Sequence, residues 1–101
     1  MDYHIMDFNT LIKQIRMYMS KFEGDYPDWY IGIAKELDQD LFKLHNVDEN
    51  GIWTSFGADT EEIAKNVEKY FMDKNTDGNP VKLEDDTRIV YVYKKNFKTT
   101  P

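Results

Sequence analysis

Cysteine is absent from the 101 residues of this chain. Disulfides, thiolate metal sites and cysteine nucleophiles are therefore excluded together. Because a reducing compartment suits such a chain, we expect a cytoplasmic protein. A membrane partner is not expected, since no apolar run approaches the roughly 18 residues of a transmembrane helix. The N-terminus also lacks the basic region and the apolar core of a signal peptide.

The chain also has few positively charged residues relative to its acidic ones. The formal net charge is −6, and Arg16 and Arg88 are the only arginines. The lysines are scattered, except for Lys94, Lys95 and Lys98 near the C-terminus. Proteins that grip nucleic-acid backbones usually cluster Lys and Arg. The composition therefore argues against general DNA binding, while leaving room for a short basic face.

The residues that are present have the composition of a folded protein. Hydrophobic residues make up 41% of the chain and aromatic residues 15%, which separates it from disordered tails. A chain of this length can bury one modest core. We therefore predict a single domain over residues 1–101.

Apolar residues at helical spacing predict helices over 8–22, 37–45 and about 59–74. Asp59, with Glu62 three residues later, resembles a capping box at the start of the third helix. The helical stripes predict that four apolar side chains are buried: Ile15, Met19, Ile63 and Val67.

Runs of β-branched and aromatic residues predict strands over 29–33, 52–56 and 88–94. Helices and strands thus alternate along the chain. This order predicts an α/β (α+β) fold in which about three helices pack on a small three-stranded sheet.

The first predicted strand contains the most specific motif. Tyr30 and Gly32 belong to the run Tyr-Ile-Gly-Ile, and the helix that follows carries Leu41 and His45. This segment resembles the second-strand signature of the GIY-YIG nuclease superfamily. In that family the tyrosine lines the active site, the glycine permits close approach, and an arginine on the next helix faces the scissile phosphate. Here the position aligned with that arginine is Asp40.

A second element of the resemblance lies on the third helix. Ala64 and Glu68 reproduce the Ala-x-x-x-Glu context of the family's single metal-binding glutamate. The resemblance implies that Glu68 would hold Mg²⁺ together with waters and substrate phosphate. On a helical projection Glu68 falls on the flank of the apolar stripe, where its carboxylate points either into a groove or into solvent.

The family's first strand is missing from its usual place, the segment 22–28. A strand of similar composition occurs at the C-terminus and contains Tyr91 and Tyr93. We hypothesise that this strand completes the sheet in a permuted order, beside the strand 29–33. Tyr91 or Tyr93 would then stand in for the family's other tyrosine.

Each candidate also has a structural interpretation. Tyr30, Tyr91 and Tyr93 are catalytic remnants or half-buried sheet residues. His45 is a general base or a residue that interacts with a helix C-terminus. Trp29 and Trp53 either stack on bases or fill the core or an interface. Asp38, Asp40 and the acidic run 84–86 form a solvated face or imitate phosphates.

The leading interpretation is a catalytically impaired, GIY-YIG-like pseudo-nuclease that acts as a binding or inhibitory module. A protein partner in a nucleic-acid-processing system is favoured, with nucleic acid as the second choice. One alternative is an active Mg²⁺-dependent endonuclease that uses Tyr30, Glu68, a C-terminal tyrosine and a relocated cation such as Lys43 or Arg88. The other alternative is a structural or small-molecule-binding domain. Mg²⁺ is expected only for the endonuclease.

Overall fold

A computed structural model of the protein describes residues 5–80 and 87–101. The acidic run 84–86 lies outside the described residues. In the described part, no helix is long and apolar enough to cross a bilayer.

The sheet has five strands, which are β1 (Ile5–Met6), β2 (Trp29–Ala34), β3 (Trp53–Ala58), β4 (Asp77–Gly78) and β5 (Ile89–Lys94). Their order across the sheet is β1-β3-β5-β2-β4. The central strand β5 runs antiparallel to both of its neighbours, and each two-residue edge strand runs parallel to the strand beside it. The mixed α and β composition is as predicted, but the three-stranded sheet is wrong because both edges carry an extra strand.

The C-terminal strand β5 pairs with β2, as predicted. The two strands are antiparallel, with Tyr93 opposite Tyr30 and Tyr91 opposite Gly32. Because β5 also pairs with β3, it occupies the centre of the sheet. Its pairing places three tyrosines on two neighbouring strands. The relationship to the GIY-YIG superfamily stays a prediction.

Two α-helices cover one face of the sheet. Helix α1 (Phe8–Met19) begins at Asp7, whose side chain accepts a hydrogen bond from the Thr10 amide at 2.8 Å. Helix α2 (Glu61–Asp73) begins at Thr60, whose hydroxyl accepts from the amide of Ile63 at 3.1 Å. The predicted cap at Asp59 is therefore one residue too early, since the side chain that satisfies the amide is that of Thr60.

The predicted middle helix is a π-helix, Asp38–Leu44. Its wide turn is visible in the hydrogen bond from the His45 amide to the Asp40 carbonyl at 3.1 Å, which spans five residues. The π-helix packs on the face of the sheet opposite α1 and α2, where Leu41 contacts the tyrosine side chains of β2 and β5.

The alternation of side chains along β2 divides the core in two. Trp29, Ile31 and Ile33 pack against α1 and α2, whereas Tyr30 and Ala34 point to the π-helix. Of the four helix residues predicted to be buried, Ile15, Met19 and Val67 are buried and Ile63 is only partly buried.

Candidate functional site

A cleft of about 240 Å³ lies where β2 runs past the end of β4. The short strand β4 pairs only with Tyr30 and Ile31, so within the described residues no strand borders Gly32 on that side. Helix α2 reaches the cleft from one face of the sheet and the π-helix from the other. The lining residues are Tyr30, Gly32, Ile33, Asp40, Leu44, His45, Glu68, Asn79, Tyr91, Thr100 and Pro101.

The tyrosines form a stack across β2 and β5. The ring of Tyr30 lies 5.1 Å from that of Tyr93 and 6.5 Å from that of Tyr91, with interplanar angles of 20° and 17°. Burial, and then nearby carboxylates, raise the pKa of Tyr30 to about 12. Burial also raises the pKa values of Tyr91 and Tyr93. All three hydroxyls are therefore neutral at physiological pH, which suits hydrogen bonding and not proton abstraction.

Gly32 makes room for the side chain of Tyr91. A Cβ atom at position 32 would overlap Cζ and Oη of Tyr91, far inside van der Waals contact. The family resemblance implied that this glycine permits close approach to substrate. In the structure, the neighbour that uses the space is the Tyr91 ring of the same chain.

Glu68 is the most deeply buried carboxylate of the cleft, with 2% of its surface exposed. Its position agrees with the interpretation in which it points into a groove, and the solvated alternative is wrong. Glu68 takes part in neither ion pair of the described residues. Burial raises the pKa of Glu68, while Lys65, one turn earlier, lowers it by less.

His45 closes the end of the π-helix and lines the cleft at the same time. Its Nδ1 lies 2.7 Å from the carbonyl oxygen of Thr100 and 3.3 Å from the hydroxyl of Tyr93. A carbonyl only accepts, so Nδ1 carries the proton and donates to Thr100. In the neutral ring Nε2 is then left as an acceptor. Both interpretations of His45, as helix terminus and as base, are compatible with this geometry.

Asp40 lines the same cleft from the π-helix. The wide turn puts Asp40, Leu44 and His45 on one side of the helix, although Leu44 and His45 are four and five residues further along the chain. Burial raises the pKa of Asp40, and the neighbouring His45 opposes that rise more weakly. The position that the resemblance assigns to an arginine thus carries a carboxyl group that lines the same cleft as Glu68 and Tyr30.

The two tryptophans lie elsewhere. Trp29 is buried in the core against Tyr18 and Phe22, and it lines a separate groove. Trp53 packs edge-on against Phe42, and its indole N–H donates to the carbonyl of Glu49 at 3.0 Å. Both positions agree with the core interpretation of these residues.

The cations considered as replacements also lie outside the cleft. Arg88 pairs with Glu61 at 3.3 Å, with about half of its side chain exposed. Lys43 is exposed on the π-helix. Among the described lining residues, none is a lysine or an arginine.

The residues fit a metal ion only in the limited way that the resemblance implied. The described chain holds no group of three or more His, Asp or Glu side chains arranged for a metal. Glu68 would be the principal protein ligand, and Asp40 is the other carboxylate of the cleft. Such a site would rely on waters or substrate for most of its ligands.

Part of the cleft was not visible in the sequence. Three lining residues belong to no recognisable motif: Asn79, which follows β4, and Thr100 and Pro101 at the C-terminal end. A backbone hydrogen bond holds the C-terminal residues against the π-helix: the Thr100 amide donates to the His45 carbonyl at 2.8 Å. No local pattern in the sequence signals this contact between residues 55 positions apart.

The chain was compared with protein-family models, with curated proteins and with solved structures. None of these comparisons gives a match. Function is therefore inferred from the geometry of the cleft.

Proposed function

We propose that this protein is a pseudo-nuclease, a binding or inhibitory module built around a nuclease-like cleft that does not cut. The observation that supports it most is the convergence of Tyr30, Tyr91 and Glu68 on one cleft in which Asp40 occupies the arginine position. A protein partner in a nucleic-acid-processing system is the proposed target. The absence of cysteine keeps the cytoplasm as the proposed location.

The electrostatics of Asp40 oppose phosphodiester cleavage. A unit charge about 4 Å from a phosphate contributes roughly 1 kcal/mol in water and about 4 kcal/mol at an effective dielectric near 20. Exchanging a cation for a carboxylate reverses the sign, a change of roughly 2 to 8 kcal/mol in transition-state stabilisation. That corresponds to a rate loss on the order of 10 to 10⁶.

The tyrosines do not compensate. A tyrosine that activates water must lose its proton, and the pKa values of Tyr30 and Tyr91 are raised instead of lowered. His45 retains an acceptor nitrogen, but a base without a nearby cation leaves the developing phosphate charge unstabilised.

The test is a cleavage and binding assay with duplex, branched and single-stranded DNA in Mg²⁺. The unmodified protein should show negligible cleavage. Asp40→Arg should bind DNA more tightly. One added phosphate contact should also steepen the slope of log K against log salt concentration by about one unit. Asp38→Arg adds the same charge on an exposed position of the same helix, and it should have a smaller effect.

Robust cleavage by the unmodified protein, lost in Glu68→Ala, would refute the proposal and support the Mg²⁺-dependent endonuclease. Circular dichroism of each variant shows whether it is folded. If Asp40→Arg gains cleavage that Glu68→Ala removes in the same background, the cleft is a nuclease remnant as proposed.

A further inference from the structure

Two carboxyl groups line the cleft, and neither takes part in a described ion pair. Glu68 is 2% exposed and lines the cleft together with Asp40. The described ion pairs are both elsewhere, joining Arg88 to Glu61 and Lys95 to Asp77. Burial raises the pKa of both carboxyl groups; Lys65 beside Glu68 and His45 beside Asp40 each offset that rise only in part.

The other walls of the cleft also suit a cation. Tyr30 and Tyr91 line it, and the face of a tyrosine ring attracts positive charge. His45 also lines the cleft, and in its neutral ring Nε2 is an acceptor because Nδ1 donates to the Thr100 carbonyl. These polar features therefore favour a positively charged hydrogen-bond donor over an anion.

The volume of the cleft limits the size of the ligand that it can hold. A cleft of about 240 Å³ is below the roughly 300–1,000 Å³ of pockets for drug-sized molecules, so it suits a single side chain. A guanidinium offers five N–H donors in a plane, which can bond carboxylates and stack on aromatic rings together. An ammonium group offers a more strongly hydrated point charge and no flat face.

We propose that the cleft binds an arginine side chain of a protein partner, with the guanidinium donating to Glu68 and Asp40 and packing on the tyrosine rings. This inference rests on the proposed function, because it names the chemistry by which the module would hold its partner. The partner's arginine would occupy the region where an active nuclease of the family carries its own.

The experiment is a titration followed by NMR, with Nα-acetyl-arginine amide as the probe and the citrulline analogue as its neutral isostere. The arginine probe should shift the signals of Tyr30, Tyr91 and His45, and the citrulline probe should not. Glu68→Gln should weaken binding about tenfold or more, since it removes a charge-assisted hydrogen bond. Asp40→Asn should weaken binding as well.

Glu62→Gln is the matched control, because it removes a carboxylate from an exposed position of the same helix. It should leave the affinity unchanged. Equal binding of both probes, no binding of either, or unchanged affinity in Glu68→Gln would overturn the inference. DNA cleavage by the unmodified protein would instead refute the proposed function, so the two failures are distinguishable.

Discussion

Gly32 shows how one small residue determines the shape of the cleft. Its missing side chain is the space in which the Tyr91 ring lies, since Cζ and Oη would overlap the Cβ that another residue would add. Tyr91 is itself 2% exposed and has little room to move away. The pair therefore behaves as one packing unit.

Gly32→Ala should destabilise the protein by about 1–3 kcal/mol, the usual cost of overpacking a core. For a domain of this size, that lowers Tm by roughly 4–8 °C per kcal/mol. In a Tyr91→Leu background, where the clashing ring atoms are gone, the same substitution should cost less. Equal costs in the two backgrounds, measured by thermal or denaturant unfolding, would contradict this packing relationship.

Glu68 should make the stability depend on pH. Burial raises the pKa of its carboxyl above the ordinary value of 4.5. Below that value the group is protonated in both the folded and the unfolded state, and its ionisation costs nothing. As pH rises from that value through the folded-state pKa, the unfolded state loses the proton more readily than the folded state. The free energy of unfolding therefore falls over this pH range.

Glu68→Gln removes that cost and should raise the free energy of unfolding at a pH of about 7.5. The gain should fade as pH falls towards 4.5, where the native glutamate is protonated. Thermal melts of both proteins across this range measure the difference, and the exposed variant Glu62→Gln should show little of it. A Glu68→Gln protein that is less stable at the higher pH would mean that the carboxylate has a stabilising partner.

Among the elements, α2 contributes one residue to the core and the next residue along the chain to the cleft. Val67 is fully buried against the sheet, whereas Glu68 turns to the cleft at the edge of β2. The helix is therefore fixed by its apolar stripe, and the position of the carboxylate follows from it.

Val67→Asp should unfold the protein, because an unpaired carboxylate in the core costs more than about 4 kcal/mol against a typical total of roughly 5–15. Asn66→Asp places the same side chain on the exposed side of the same helix and should change stability by about 0.5 kcal/mol or less. Circular dichroism and a thermal melt compare the two. A folded Val67→Asp with an unchanged Tm would show that the helix is not anchored this way.

The π-helix sets the opposite wall of the cleft. With about one more residue in each turn than an α-helix, it aligns Asp40 with both Leu44 and His45 along the cleft. In an α-helix, Asp40 and His45 would diverge by well over a right angle, at about 100° for each residue. The unusual helix thus accounts for the juxtaposition of acid and imidazole.

In the molecule as a whole, the cleft depends on the order in which strands are assembled. Strand β5 comes last in the chain and yet occupies the centre of the sheet, between β2 and β3. Tyr30 and Tyr91 meet only because of this pairing, and the C-terminal tail then returns to hold His45. The site is therefore a property of the complete fold and not of any one segment.

The pattern of residues along the chain was enough to specify the main elements of this fold. Periodic apolar residues specified α1 and α2, and dense β-branched and aromatic runs specified β2 and β5, because each element must bury one side. The same patterns assigned Tyr30 and Gly32 to a strand and Glu68 to a helix. The pairing of β2 with β5 was predicted from the family resemblance, through its displaced first strand.

The remaining features depend on how the elements pack together. The two-residue strands β1 and β4 are too short for any periodic signal, and the π-helix depends on backbone hydrogen bonds that composition does not encode. The Gly32–Tyr91 contact, the bond from His45 to Thr100 and the burial of Glu68 each join distant parts of the chain. Such contacts leave no local trace in the sequence, because they arise only when separate elements meet in the folded protein.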